Sequence, residues 1–369
     1  MPAEQAAAGA GAESSAGFST YLGMEGAVLL GLSRGLELAL LANLAKYLNR
    51  WLNATEFDAS QFVTSTALLY AGRRLVRRIH RKRQQAAARA VLTAHLRGLA
   101  AARTALATTV TLHGGIATTL ARVDSEAATR ALARALSGRL AETDLRVLRA
   151  VDDIYRQAVG RATMQGLAGS LTRRQAAQAA LDELAGHGVT GFVDRAGRRW
   201  NLASYTEMAT RTAIHNAERQ GVMDGVRASG RDLVTVSGSP GCCPMCAPWE
   251  GEVLSLDGLT PGYLTLADAE RDGLFHPSCR HALAPYVEGL TRTDGIQQGD
   301  PDRYAAEQQQ RHLERGIRYW KTREAVALDD LAAAKAKAHV REWQGRLREH
   351  VAKHDLPRLR YREQIGKAI

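Results

Sequence analysis

The chain has 369 residues, enough for two or three compact units, and carries 49 Lys and Arg against 38 Asp and Glu, for a formal net charge of +11. Aromatic residues make up only 5% and alanine is abundant, a mixture that speaks against a large β-sandwich and for helices packed through small side chains. The positive surplus calls for an anionic neighbour, nucleic acid foremost, although an arginine-rich genome leaves the same imprint.

Residues 1–17 are Ala, Gly and Ser with two acids, and read as a disordered tail. They lack the basic start and apolar core of a secretory signal. The region 18–185 then reads as helical nearly throughout, with no proline between residue 2 and Pro240 to force a break. The stretch from Gly26 to Leu52 is the most apolar, but Arg34, Glu37 and Lys46 interrupt it. No clean run approaches the roughly 20 residues that a membrane crossing needs. The expectation is a buried or self-associating helix and no membrane partner. Asn53-Ala54-Thr55 and the Gly114-Gly115 pair are the expected breaks, and Leu92, Leu96, Leu99 and Leu106 mark a helical face.

The segment "GRRLVRRIHRKR" (Gly72 to Arg83) stands apart. Coiled as a helix, it lines up Arg73, Arg77 and Arg81, with Arg74, Arg78 and Lys82 on the adjoining row and Arg83 beside them. Leu75, Val76 and Ile79 form the opposite, apolar stripe. Such a helix docks apolar side down and offers a basic rail to phosphates, with no sequence preference. The competing reading is a solvated face whose arginines pair with carboxylates elsewhere.

Beyond residue 185 the texture changes, and 186–300 reads as a small α+β domain. Two short β-like runs flank a turn at Asp194 to Gly197. Ser204 with Glu207 fits a capping box for a following helix. Strands are expected within Asp232–Ser239 and Gly251–Gly258. The region 301–369 is helical again, a long amphipathic helix or a helix pair anchored by Ile317, Tyr319 and Trp320. The fold class is therefore mainly α: a helical N-terminal region, a small α+β domain and long C-terminal helices.

All four cysteines fall inside the α+β segment, as Cys242, Cys243, Cys246 and Cys279, with His276 and His281 beside the last. Cys243-Pro-Met-Cys246 is a C-x-x-C knuckle that can aim two thiolates at one ion, and His276-Pro-Ser-Cys279 offers a nitrogen and a third sulfur. A chain without an export signal matures in a reducing cytosol, where clustered cysteines point to metal before disulfides. The expected ligands of a closed structural zinc are Cys243, Cys246, His276 and Cys279, with His281 as the substitute for His276. Cys242 diverges from its neighbour and stays out. The alternatives are a redox pair, for which no thioredoxin-like context is visible, a pair of disulfides, and plain buried thiols. A nuclease could be built from His281 with Asp268 or Glu270, and Arg211, Ser237 and the Glu250–Glu252 pair imitate a transferase pattern. Nothing in the spacing demands either, and the expectation is that the chain is not an enzyme.

Taken in order, the runs Gly188–Ala213, Leu233–Gly258, Leu274–Gly289 and Tyr304–Lys321 resemble the phage minor capsid protein 2 family, related to the Mu-F-like head morphogenesis proteins. The resemblance covers roughly residues 150–353. It implies a structural component of a tailed-phage or prophage head at the portal vertex. Such a protein is assembled in the host bacterial cytoplasm and acts in head assembly or DNA packaging and delivery. The implied partners are portal and capsid proteins and packaged DNA, with the chain oligomeric in the virion. The family's cysteine and histidine positions fall on Cys243, Cys246, His276, Cys279 and His281. Trp200, Tyr205, Arg211 and Thr212 match a preceding helix motif, and Gln310, Arg311, Glu314, Arg315, Arg318 and Trp320 a C-terminal one. Nonspecific DNA binding without a capsid role remains the other reading.

Overall fold

The structure is a computed structural model and describes residues 23–53, 66–112, 126–167, 171–187, 192–193, 199–200, 202–296 and 298–366. The tail 1–17, Ala54-Thr55, Gly114-Gly115 and the turn at residues 194–197 lie outside the described residues. Long helices come first: α1 (Gly23–Leu52), α2 (Thr66–Leu112), α3 (Glu126–Leu167) and α4 (Arg173–His187). Two short strands follow, β1 (Phe192–Val193) and β2 (Arg199–Trp200), paired antiparallel. Helix α5 (Leu202–Ala228) leads into β3 (Leu233–Val236), β4 (Val253–Ser255), α6 (Leu266–Arg271) and β5 (Leu283–Pro285). The chain closes with α7 (Pro301–Ala325) and α8 (Asp330–Lys353). The protein is thus mainly helical, with N- and C-terminal helices flanking a small mixed α/β region. Helix α5 starts ahead of Ser204, so Ser204 and Glu207 lie inside it and Ser204 is not its N-cap.

The chain divides into two compact units, each discontinuous in sequence. One comprises residues 28–85, 138–207 and 308–369. Its core gathers Leu36, Leu40, Leu41, Leu44 and Leu48 of α1 with Val76 and Ile79 of α2, Tyr155 and Val159 of α3, and Leu181 of α4. By length and composition Gly26–Arg50 could cross a membrane. Here its leucines are core residues instead, and they bury because α3 and α4 offer matching apolar faces. Tyr155 is fully buried, and its hydroxyl donates to the Leu40 carbonyl at 2.6 Å. Helices α7 and α8 pack closely at Gly316, where a Cβ would stand 2.0 Å from the Trp343 ring. Trp320 stacks on His339 with centroids 3.9 Å apart.

The C-terminal motif residues knit this unit together. Gln310 donates to the Pro357 carbonyl at 2.9 Å, Arg318 donates to the Arg362 carbonyl, and the buried Glu314 lies 3.9 Å from the Arg362 guanidinium. From the earlier motif, Trp200 and Tyr205 meet edge to face at 5.9 Å.

Glu37, one of the charges that interrupt the α1 apolar stretch, carries a cost to stability. Burial drives its carboxyl up to about 7, against the opposing pull of Arg318, Arg34 and a backbone hydrogen bond at Ala203. A carboxyl whose folded pKa is raised costs nothing below its unfolded value near 4.5. The cost then grows as pH climbs towards 7 and stays constant above it. Glu37→Gln is therefore expected to leave stability unchanged at pH 4 and to raise it by about 3–4 kcal/mol at pH 8, at about 1.4 kcal/mol per pKa unit. Urea midpoints at the two pH values check this, and equal shifts at both would refute it.

The other unit comprises residues 1–27, 86–137 and 208–307. In it α2 and α5 touch backbone to backbone. A Cβ at Gly98 would sit 2.0 Å from the Glu218 carbonyl oxygen, and one at Gly221 would sit 2.1 Å from that of His95. Only glycine allows such an approach. His95, fully buried, meets Asp224 at 2.8 Å across the same contact, and Arg97 meets Glu218 at 2.7 Å. Leu99 and Leu106 are buried on this side of α2, whereas Leu92 and Leu96 of the expected face are about half exposed. Behind α5 lies a three-stranded antiparallel sheet of order β4-β3-β5, whose β3 is buried along its length. Strand β5 and helix α6 escaped the sequence reading because each is a single short turn or run with no clear period.

Candidate metal centre

The sheet register explains why the cysteines converge. Val236 at the end of β3 pairs with Leu283 at the start of β5, and Thr235 pairs with Val253 at the start of β4. The loop after β3 and the loop before β5 therefore leave the same end of the sheet. Each is a tight turn. The Cys246 and Ala247 amides both donate to the Cys243 carbonyl at 3.1 Å, closing the C-x-x-C knuckle. On the other loop the Cys279 amide donates to the His276 carbonyl at 2.9 Å, with Phe275 and Ser278 in the left-handed region at φ 59° and 67°. Thr212 of α5 accepts the Ser278 amide at 3.0 Å and so ties this turn to the helix.

Two overlapping triplets of donors result, Cys243/Cys246/His276 and Cys246/Cys279/His281, each with its ligand atoms within 4.8 Å of one another. Cys246, fully buried, belongs to both. Its sulfur lies 3.6 Å from that of Cys279, which joins the two loops. Cys243 Sγ is 2.9 Å from His276 Nε2, and Cys279 Sγ is 3.3 Å from His281 Nδ1. A third group, Cys242/Glu250/His281, adjoins the second triplet through the far side of the imidazole. Cys242 thus points away from the knuckle, as expected for adjacent side chains. All four cysteines are free thiols. The cluster is capable of coordinating a metal ion.

Its electrostatics follow from burial and proximity. The hydrogen bond shared with Cys246 pulls the Cys279 thiol below the usual range, with His281 adding to the pull against burial. The same shared bond and burial push Cys246 up. Burial works against charging His281, but hydrogen bonds to Cys279 and Glu250 outweigh it and raise the imidazole to about 9. Burial also disfavours the Glu250 carboxylate, yet hydrogen bonds from His281 and from the Gly299 and Ser239 amides keep it below the usual range. Cys242 is pushed up by burial and by Glu250.

Two residues at this centre carried no metal signal in the sequence. Arg219 of α5 is buried, places its guanidinium 3.9 Å over the Phe275 ring and reaches the His281 carbonyl at 3.4 Å. Burial works against its charge, and Cys279 favours it. Glu250 stood out only as part of a transferase-like pattern, and here it is a wholly buried partner of His281. Asp268, offered above for a nuclease, is committed to the capping box of α6 with Thr265.

The basic segment on α2 divides. Arg73, Arg74, Arg77, Arg78, Arg81 and Lys82 are exposed, and Val76 and Ile79 are buried on the opposite side. Arg83 leaves the rail, and its placement among the phosphate contacts is corrected. Its side chain is 0% exposed, bonded to Asp144 and, at 3.0 Å, to Thr206 Oγ1. Turning one position further around the helix carries it under α2 and into the core.

The chain thus combines long helices with a small α/β region that holds a cluster of thiols and imidazoles. The family described as phage minor capsid protein 2 matches residues 22–352, and the chain belongs to that family. It is similar to a "Structural protein" of Lactococcus phage LL-H, 25% identical over 56% of this chain and 60% of that protein, so the match spans less than two thirds of the relative. A "Structural protein" of Lactococcus phage mv4 is 31% identical over 29% of this chain and 94% of that protein. No solved structure matches. Both relatives are named as structural proteins, and the family as a minor capsid protein.

Proposed function

We propose that this chain is a minor structural component of a tailed-phage or prophage head, akin to the Mu-F-like head morphogenesis proteins. In this reading it sits at the portal vertex, oligomeric and in contact with portal and capsid proteins, and acts in head assembly or in DNA packaging and delivery. The observation that carries the reading, beyond family membership, is the meeting of two loops through the Cys246 and Cys279 sulfurs 3.6 Å apart. Soft thiolates with imidazole suit zinc, bound by Cys243, Cys246, Cys279 and one of the two histidines. A buried closed site of this kind serves rigidity, since the three short strands alone supply little core. Zinc with three thiolates and one imidazole carries one net negative charge, which the buried Arg219 offsets. The exposed basic face of α2 suits the packaged DNA.

Purified heads are expected to contain the chain together with the portal protein, and its persistent absence from them would sink the structural reading. Replacing Arg73, Arg74, Arg77, Arg78, Arg81 and Lys82 with Gln is expected to weaken DNA binding. It should also flatten the salt dependence by about 0.9 log units per log unit of salt for each phosphate no longer neutralised. An unchanged slope would remove DNA from the partners of this face.

A further inference from the structure

We propose that His281, through Nδ1, is the nitrogen ligand of the metal, and that Glu250 is the positioning residue that holds its ring. The inference rests on the metal reading above and chooses between the two histidines that reading leaves open. The wholly buried carboxylate of Glu250 is fixed before His281 reaches it, because its Oε1 accepts the Ser239 amide at 2.6 Å and its Oε2 the Gly299 amide at 2.6 Å. Gly299 can come that close because it has no Cβ; one there would stand 2.1 Å from the Cys242 Cβ. His281 Nε2 lies 2.8 Å from Oε1. An ionised carboxylate only accepts, so Nε2 must carry the ring proton. Cys242 Sγ lies 3.3 Å from the same nitrogen and closes that side further. In the neutral, ligating ring the lone pair is then on Nδ1, which faces Cys279 and Cys246. A carboxylate holding the outer nitrogen of a ligating imidazole is the usual means of fixing its tautomer and raising its basicity.

His276 is held differently. Its Nδ1 is 2.9 Å from the Pro277 carbonyl, a neutral acceptor on its own loop, and its ring is only partly buried. The edge lengths separate the two further. Zinc–sulfur bonds of about 2.3 Å and zinc–nitrogen bonds of about 2.0 Å imply tetrahedral edges of about 3.8 Å between sulfurs and about 3.5 Å from sulfur to nitrogen. Cys246–Cys279 at 3.6 Å and Cys279–His281 at 3.3 Å lie near these values. Cys243–His276 at 2.9 Å is a hydrogen-bond contact that would have to open. His276 is then a hydrogen-bond partner of the Cys243 sulfur.

The test uses the full chain loaded with cobalt(II) in place of zinc, because the thiolate-to-cobalt charge-transfer band counts sulfur ligands. The parent protein is expected to show three. His281→Cys is expected to add a fourth thiolate, a gain that misfolding does not mimic, whereas His276→Cys leaves three. Glu250→Gln is expected to keep the three-thiolate spectrum and to weaken metal affinity about 10–100-fold in a chelator competition. A fourth thiolate from His276→Cys, or none from His281→Cys, would overturn the assignment while leaving the metal reading intact. Unchanged affinity in Glu250→Gln would remove Glu250 from the role. If the parent chain binds no metal and its four thiols react freely, the metal reading itself fails.

Discussion

Cys246→Ala is expected to emerge from purification with almost no bound metal, where the parent chain holds about one ion. Cys246 is the cysteine that belongs to both donor triplets, and its sulfur lies 3.6 Å from that of Cys279 on the other loop. Its removal takes away a ligand shared by the two triplets and one of the contacts between the loops. The stability at stake is large, since structural zinc sites in small peptides contribute apparent binding free energies of about 10–16 kcal/mol. Part of that is recovered here by packing of β3 and α5, so a loss of several kcal/mol is the expected result. It should appear as early proteolysis between residues 242 and 281 and as a lowered melting temperature. Stripping the parent chain with a chelator should reproduce both effects. Cys242→Ala is the control, because Cys242 lies in neither triplet that contains Cys246. A Cys246→Ala protein that melts with the parent in the presence of zinc would show that the ion does not hold this fold.

Arg83→Met is expected to cost about 3–5 kcal/mol, the usual penalty for leaving one charge of a buried pair alone. Asp144, 3% exposed, would keep the His80 imidazole at 2.8 Å, and Thr206 would lose its bond from Arg83. For a domain whose total stability is of order 5–15 kcal/mol, this is a large fraction. Burial lowers the Arg83 pKa, and Asp144 opposes that shift. The double variant Arg83→Met with Asp144→Leu should recover most of the loss, because apolar replacement of a whole buried pair is often neutral. Chemical denaturation of the single and double variants measures both. A single variant within about 1 kcal/mol of the parent would mean that the pair is solvated and that Arg83 belongs with the rail after all.

Much of the helical scaffold was legible in the sequence. Three- and four-residue apolar spacing needs no tertiary information, so α1 and the apolar stripe of α2 at Val76 and Ile79 could be read directly. The C-terminal region, expected as one long helix or a helix pair, is observed as the pair α7 and α8. The C-x-x-C and H-x-x-C-x-H spacings announced a cluster, because two thiols three residues apart can meet around one ion in a tight turn. The fate of single residues was less accessible. Lys82 and Arg83 look alike in a charge run, yet one more step around the helix separates solvent from core.

Sequence by itself determined the mainly helical class, the α/β insert and the identity of the thiols and imidazoles that gather there, since these depend on local period and on side-chain chemistry. Only the tertiary structure decided which groups surround them. Glu250 reaches His281 from 31 residues away and Arg219 reaches the His281 carbonyl from 62, while Gly98 and Gly221 let two distant helix segments meet. No local pattern encodes a contact made by β-sheet register or by two helix backbones closing on each other.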